Sequence, residues 1–458
     1  MHDLTHLLGM QRPDLARALA AAVPGIPANE DAIAHAESLW ARGGRPAAAE
    51  RLAALDPAAY ARTRNHVAGA VSRLSPWLRH GVVSLAEARD AALGKAGRPE
   101  EAAKFIAELG WRDYWRRVHA RLGDRIGEPI EMPAHPSRHG LADAMPADVL
   151  GAATGMACID AFVRRLRETG WLHNHERMWL ASWLVHVRGV AWRTGADWML
   201  GQLLDGDPAS NHLSWQWVAG TFSAKPYLFN RENLESFTGG IHCRPCGLRG
   251  ICDVEGSYEE LTARHLAAGS PQRPPLRIPP AAEWPSWPAV RPTSPLVWLT
   301  LDSVSSASPA AAAFPDAPRV FVVDPTWLAE ERPSLSRLLF LFECLADVPR
   351  VEVLLGSPTE VVADRLRRHR RDGVAVAETP CPRVRHAAAR IRDACSAGTG
   401  GPSQASAPLP VCVLRWPDFC DARTVRDLGR FSRYWQQVGP SAFVTTGSAT
   451  TPDAGRRE

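Results

Sequence analysis

Apolar residues recur at intervals near 3.6 along residues 14–266 and then give way, near the end of the chain, to short unbroken runs. Residues 101–122 set Phe105, Leu109, Tyr114 and Val118 on one helical face, and residues 178–190 are almost wholly apolar, as a central helix is. Extended alternating stretches are nearly missing there, so residues 1–268 read as an all-α domain. Residues 269–295 carry Pro271, Pro274, Pro275, Pro279, Pro280, Pro285, Pro288 and Pro292, a composition that favours extended chain and marks a linker. Beyond it, apolar runs at 296–301, 320–323, 351–355, 374–376 and 411–414 alternate with helical patterns at 334–347, 359–371 and 383–394. Such alternation predicts a doubly wound parallel sheet, an α/β domain over 296–440. Residues 396–408 read as a loop, and 441–458 as a small, polar, disordered tail.

Composition narrows the classes of function. No apolar run approaches the ~20 residues that a membrane helix needs, and the Met-His-Asp-Leu start has no basic-then-apolar segment, so a cytoplasmic protein is expected, as a monomer. The net charge of +4, carried far more by Arg than by Lys, permits a phosphate-binding face without requiring one. Seventeen Trp against five Tyr is the sharper signal, because an indole must either pack a large area or stack on something. Most of that excess lies between Trp111 and Trp217. Nine cysteines, an odd number, argue against a disulfide framework.

The chemistry concentrates in three blocks: Gly170-Trp171-Leu172-His173-Asn174-His175-Glu176-Arg177-Met178, Asp205-Gly206-Asp207-Pro208-Ala209-Ser210-Asn211, and Ser214-Trp215-Gln216-Trp217. They are too polar for core and too aromatic for ordinary surface, a mixture suited to a buried redox cofactor beside a stacking platform. Upstream, Val71-Ser72-Arg73-Leu74-Ser75-Pro76 offers two hydroxyls around a cation, either a phosphate clamp or a capped helix with an exposed Arg. Asp205 and Asp207 read equally as a solvated turn around Gly206, and Asn211 as a helix cap.

Together these blocks resemble the DNA photolyase and cryptochrome family, whose members read close to GWMHNRxRM and DGDxAxNxxxWQW, with a Tyr, then SRLSP, then WRxxxR ahead of them. The resemblance implies FAD as cofactor, held by Tyr60, Ser72, Arg73, Leu74, Ser75, Arg112, Asn174, Arg177, Asp205, Asp207 and Asn211. It pairs Arg177 with Asp205 beside the isoalloxazine and sets Asn211 at flavin N5, where an amide can donate or accept. It further implies DNA containing cyclobutane pyrimidine dimers as substrate, met by Glu108, Trp111, Asn174, Met178 and Trp217. Glu108 and Trp111 are three apart, and Asn174 and Met178 four apart, spacings that share a helix face. The implied reaction is a light-driven carbon–carbon lyase: reduced, excited flavin lends an electron to the dimer, the ring splits and the electron returns. A cryptochrome-like photoreceptor without repair, and a flavin or iron–sulfur protein without a light function, stand as alternatives.

Three departures qualify the resemblance. The family relays electrons through three Trp; Trp215 and Trp192 match the proximal and middle members, while the distal position falls on Val149, so either the relay ends early or another Trp, such as Trp179, Trp183 or Trp198, completes it. Cys243, Cys246 and Cys252, with the distant Cys158 after Thr154-Gly155-Met156, resemble the ligands of the iron–sulfur branch, which implies a [4Fe–4S] cluster; zinc held with His242 or His265, or no metal, are the other readings. Finally, the family places its α/β module first, whereas here the helical domain leads. The strand-end residues that an antenna chromophore needs are not recognisable in that module, so shielding or docking is its expected role.

Overall fold

The computed structural model describes residues 1–269, 278–279, 291–396, 409–423 and 425–445. Most of the linker, nearly all of the 396–408 loop and the tail from residue 446 fall outside the described residues.

The strand-forming runs became strands because both of their faces are covered. The sheet comprises β1 (His2–Asp3), β2 (Pro295–Leu299), β3 (Arg319–Val323), β4 (Val351–Leu355), β5 (Gly373–Ala377) and β6 (Val411–Leu414), in the order β1-β4-β3-β2-β5-β6. From β2 the chain steps to β3 and β4 on one side, then crosses to β5 and β6 on the other, all in parallel. Leu296, Trp298, Val320, Val322, Val374 and Val376 pack one face against the helices Pro358–Arg368 and Pro382–Ser396. Val297, Leu299, Phe321 and Val323 pack the other against Leu335–Ala346, a helix whose exposed positions are few.

Two features cross the sequence boundary at residue 268. Strand β1 pairs antiparallel with β4, through His2–Leu355 and Asp3–Leu354, so the helical half supplies one edge of the sheet and the sheet is mixed. That strand is two exposed polar residues held only through their backbone, and no hydrophobic period betrays it. The core beneath it is also continuous: Leu15, Leu19, Phe105, Ile106 and Leu109 belong to the same buried cluster as Leu338, Phe340 and Phe342. At the far end, the helix Phe431–Val438 leaves the sheet and lies on the helix Pro99–Leu122. There Trp435 sits where any Cβ on Gly110 would come within 2.2 Å of its ring.

A second core, built from Phe162, Trp179, Trp183, Trp192 and Trp215, holds the rest of the helical half. The apolar run at 178–190 is not one helix. Asn174–Ser182 is α-helical, Trp183–Val187 makes a π-helical turn, and the chain breaks at Arg188, a widening that turns more of the run inward.

Candidate functional site

A cavity of about 320 Å³ opens where the helices Pro99–Leu122, Asn174–Ser182 and Pro208–Ala219 meet the 71–75 loop. Each element brings its residues for a local reason. Asp56 caps the helix Pro57–Thr63 and sets Tyr60 in the wall, edge-on to Phe105 at 5.2 Å. In the loop, Arg73 takes a positive φ of 52°, uncommon for a non-glycine residue, and its guanidinium lies over the rings of Trp171 (4.7 Å) and Trp40 (5.5 Å). Ser72, Leu74 and Ser75 line the cavity around it.

Opposite, His173 and Glu176 form a reciprocal cap on Asn174–Ser182. The His173 ring accepts from the His175 amide at 3.2 Å, and the Glu176 carboxylate accepts from the His173 amide at 3.0 Å. Burial lowers His173 and His175 to about 4, so both are neutral rings at neutral pH. The cap fixes the first turn, from which Asn174 donates to the Met178 sulfur at 3.3 Å and Arg177 reaches Asp205 at 2.9 Å. Deeper, Arg112 pairs with Asp207 at 3.0 Å and Ser210 donates to the same carboxylate at 2.8 Å. Burial would raise Asp207, but Arg112, Arg79 and Arg116 outweigh it and hold the carboxyl well below the usual range. Asn211 donates its amide N–H to the Ala196 carbonyl at 2.8 Å, which leaves its Oδ1 as an acceptor for the cavity. Glu108 is paired with Arg64 at 3.0 Å.

The cavity lining therefore gathers Tyr60, Ser72, Arg73, Leu74, Ser75, Glu108, Trp111, Arg112, Asn174, Arg177, Met178, Asp205, Asp207, Asn211 and Trp215. Trp192 is not among the lining residues; it is buried behind them, edge-on to His212 at 6.3 Å. Trp217 is also outside the lining and packs 5.5 Å from Tyr227. The reason is helical phase. Two residues on a helix differ by about 200°, so with Trp215 turned inward Trp217 is turned away. Val149, at the distal relay position, is fully buried and aliphatic.

Several lining residues had no separate reading from sequence: Arg64, Trp115, Trp171, His173, His175 and Ser210; Phe105 was read only as part of an apolar helix face. Trp171, His173, His175 and Ser210 lie inside the motifs already singled out, so adjacency alone could have found them. Arg64 carried no such signal.

Cys158, Cys243, Cys246 and Cys252 surround one small cavity of about 20 Å³, with Met156, His242 and Arg249. Burial pushes the thiols of Cys158 and Cys243 up, to about 12 and about 11. Among the described residues no group of three or more His, Cys, Asp or Glu side chains converges closely enough to grip an ion, so the four sulfurs share a wall without a coordination geometry.

A third cavity, about 70 Å³, lies at the carboxyl ends of β2, β3 and β5, beside the point where the chain reverses its progress across the sheet. The charged groups at and around this end are mutually paired, while the buried Nδ1 of His119 in the wall has no hydrogen-bond partner among the described residues. Arg79 pairs with Asp302, which also accepts from Thr379; Arg337 pairs with Glu331 at 2.9 Å, and Glu331 accepts from Arg383 at 2.8 Å.

Residues 105–238 match the family model described as the FAD binding domain of DNA photolyase. The deoxyribodipyrimidine photo-lyase of Streptomyces griseus is 44% identical over 152 residues, 33% of this chain and 32% of that protein. A chloroplastic/mitochondrial cryptochrome DASH of Oryza sativa subsp. japonica is 33% identical over 169 residues, 35% of this chain and 28% of that protein. The alignments thus span about a third of the length of these curated relatives. Among solved structures, a bacterial class III photolyase from Agrobacterium tumefaciens aligns at 27% identity over 48% of each chain, with a TM-score of 0.39. No helix of the described residues is long and apolar enough to cross a membrane. It is through residues 105–238, matched to the FAD binding domain of DNA photolyase, that the chain is similar to the photolyases and cryptochromes, over about a third of its length.

Proposed function

We propose that this chain repairs cyclobutane pyrimidine dimers in DNA by light-driven electron transfer from reduced FAD, as a deoxyribodipyrimidine photo-lyase. The observation that carries the reading is one cavity lined both by the groups suited to a flavin and by Glu108, Trp111, Asn174 and Met178. The donor set suits FAD: Ser72, Arg73 and Ser75 offer hydroxyls and a cation to its phosphates, while Arg177 paired with Asp205, and the free Oδ1 of Asn211, suit the edge of its ring. Bound and reduced, FAD would supply the photoexcited electron.

The chain's own part is position and exclusion of water. Trp111 and Met178 offer surface for a pyrimidine turned out of the duplex, and Glu108 and the Asn174 amide offer hydrogen bonds to its edge. Trp217, packed on Tyr227, contributes to this platform only if its ring turns. Trp215 and Trp192 form the inner part of a route for reducing the flavin. The four cysteines, three of them buried, line one cavity and are the donor types of a [4Fe–4S] cluster, though their present arrangement does not converge on an ion. In this reading the strand-bearing domain follows the helical one, reversed from the family's order. An antenna chromophore is not expected in it, because the strand-end residues that would hold one are not recognisable. The protein acts as a cytoplasmic monomer.

Blue-light illumination of dimer-containing oligonucleotide with reduced protein tests the proposal. Loss of dimers that is abolished in the dark and weakened by Glu108→Gln supports it. Full FAD occupancy without loss of dimers would favour the photoreceptor.

A further inference from the structure

The helix Phe431–Val438 is unexplained by either the sheet or the flavin cavity. It lies on the helix Pro99–Leu122, more than three hundred positions away, and the contact is built rather than incidental. Phe431 stacks on Trp111 with ring centroids 3.8 Å apart and planes 13° from parallel, and Trp435 stacks behind Phe431 at 5.7 Å and 16°. Gly110, the residue before Trp111, is what lets the two helices come this close, since a Cβ there would strike the Trp435 ring. Polar contacts pin the segment at both ends. The Tyr114 hydroxyl donates to the Leu428 carbonyl at 2.7 Å, Tyr434 donates to Asp113, and Arg430 pairs with Glu131 through both carboxylate oxygens at 2.9 Å.

Trp111 lines the cavity, whereas no residue of the segment 425–443 does. The segment therefore closes one face of the indole from outside. We infer that Phe431 is a positioning residue for substrate: it locks the Trp111 ring so that only its cavity side is free to stack on an everted pyrimidine. An indole held in one orientation has already lost the rotamer freedom that a mobile one would lose on binding, and affinity for the lesion rises accordingly. This rests on the repair reading for its consequence, but not for the stacking itself.

The test uses the full chain. Wild type, Phe431→Ala, Phe431→Tyr and the exposed control Gln436→Ala are each made with 5-fluorotryptophan, and the Trp111 fluorine resonance is assigned with Trp111→Phe. Binding of dimer-containing and of undamaged oligonucleotide is measured on the same samples, with FAD content as the check on folding. Phe431→Ala is expected to shift or broaden the Trp111 resonance and to weaken dimer binding about three- to tenfold, the range expected for one aromatic pair. Binding of undamaged DNA and FAD content stay as in wild type, and Phe431→Tyr restores the dimer affinity. An unchanged Trp111 resonance in Phe431→Ala overturns the inference, whatever the DNA does. So does a shifted resonance with unchanged dimer affinity. If wild type itself does not prefer dimer-containing DNA, the repair reading falls, and with it the assigned role of Phe431 towards substrate.

Discussion

Two cavities share the wall made by Asp207 and treat charge in opposite ways. At the strand ends, Arg79, Asp302 and Thr379, and Glu331, Arg337 and Arg383, are tied into paired-charge clusters, with Arg79 and Arg337 also donating to the Gly206 carbonyl, and what remains is about 70 Å³. On the flavin side, Ser72, Arg73, Ser75 and the Asn211 oxygen keep capacity in reserve around about 320 Å³. A cavity whose polar groups are mutually satisfied holds the protein together; one whose groups are left over holds a ligand. Arg79 shows the first role most plainly, since it also donates to the Gly206 carbonyl, inside the loop that carries Asp205 and Asp207.

The comparison breaks first at Arg79. Arg79→Ala leaves Asp302 buried beside a single remaining cation, Arg116, and a loss of about 3–5 kcal/mol is expected in urea unfolding, the usual cost of breaking a buried pair. A loss below about 1 kcal/mol, the scale of a surface pair, would show that the strand-end network is not structural. On the flavin side the effect moves from stability to ligand. Asp205→Ala leaves Arg177 without its partner and is expected to weaken FAD retention by about 10–100-fold, with little change in the unfolding midpoint of the apoprotein, as follows for a charged hydrogen bond worth ~1.5–3 kcal/mol. Equilibrium dialysis against FAD measures it.

How much of this was legible in the sequence differs between the two cavities for a physical reason. The flavin cavity is built from short motifs, so residues adjacent in sequence, such as Arg177 and Met178 or Asp205 and Asp207, arrive together. The strands β2 to β5 were legible because each is a short apolar run with nearly every residue buried, and β6, at the sheet edge, because it is a short apolar run. The strand-end network joins Arg79, Asp302 and Thr379 across some three hundred residues, and nothing local marks any of them. The same holds for β1, two exposed polar residues, and for Phe431 on Trp111. Trp217 failed differently: the motif gave its place in the chain but not the helical phase, which turns it from the cavity that Trp215 lines.

Acid should act on both cavities, in two windows. Burial lowers His80 to about 3 and His119, His173 and His175 to about 4, so the unfolded chain takes up protons near pH 6.5 that the folded chain refuses. Stability is therefore full above about pH 6.5 and falls as the pH drops towards 4. Asp302 follows: burial would raise it, but Arg116 and Arg79 bring it to about 2, so its contribution is present above the usual carboxylate range and is lost as the pH falls towards 2. Thermal midpoints measured from pH 8 to 3 check both windows; a flat profile between 6.5 and 4 would contradict the buried neutral histidines. The smallest effect on the flavin is expected from Cys158→Ser, which should lower the iron content of the purified protein while leaving FAD per chain unchanged. A parallel loss of FAD would couple two sites that the structure keeps in separate cavities.

In the proposed reading one cavity holds both the flavin and the lesion. Its most direct test is the action spectrum for splitting of dimers in a defined oligonucleotide, recorded on the reduced protein and compared with the absorption of its bound FAD. Splitting is expected to follow the flavin absorption, to need light, and to fall sharply in Trp111→Ala at unchanged FAD content. Dimers that persist under illumination with FAD fully bound and reduced would contradict it.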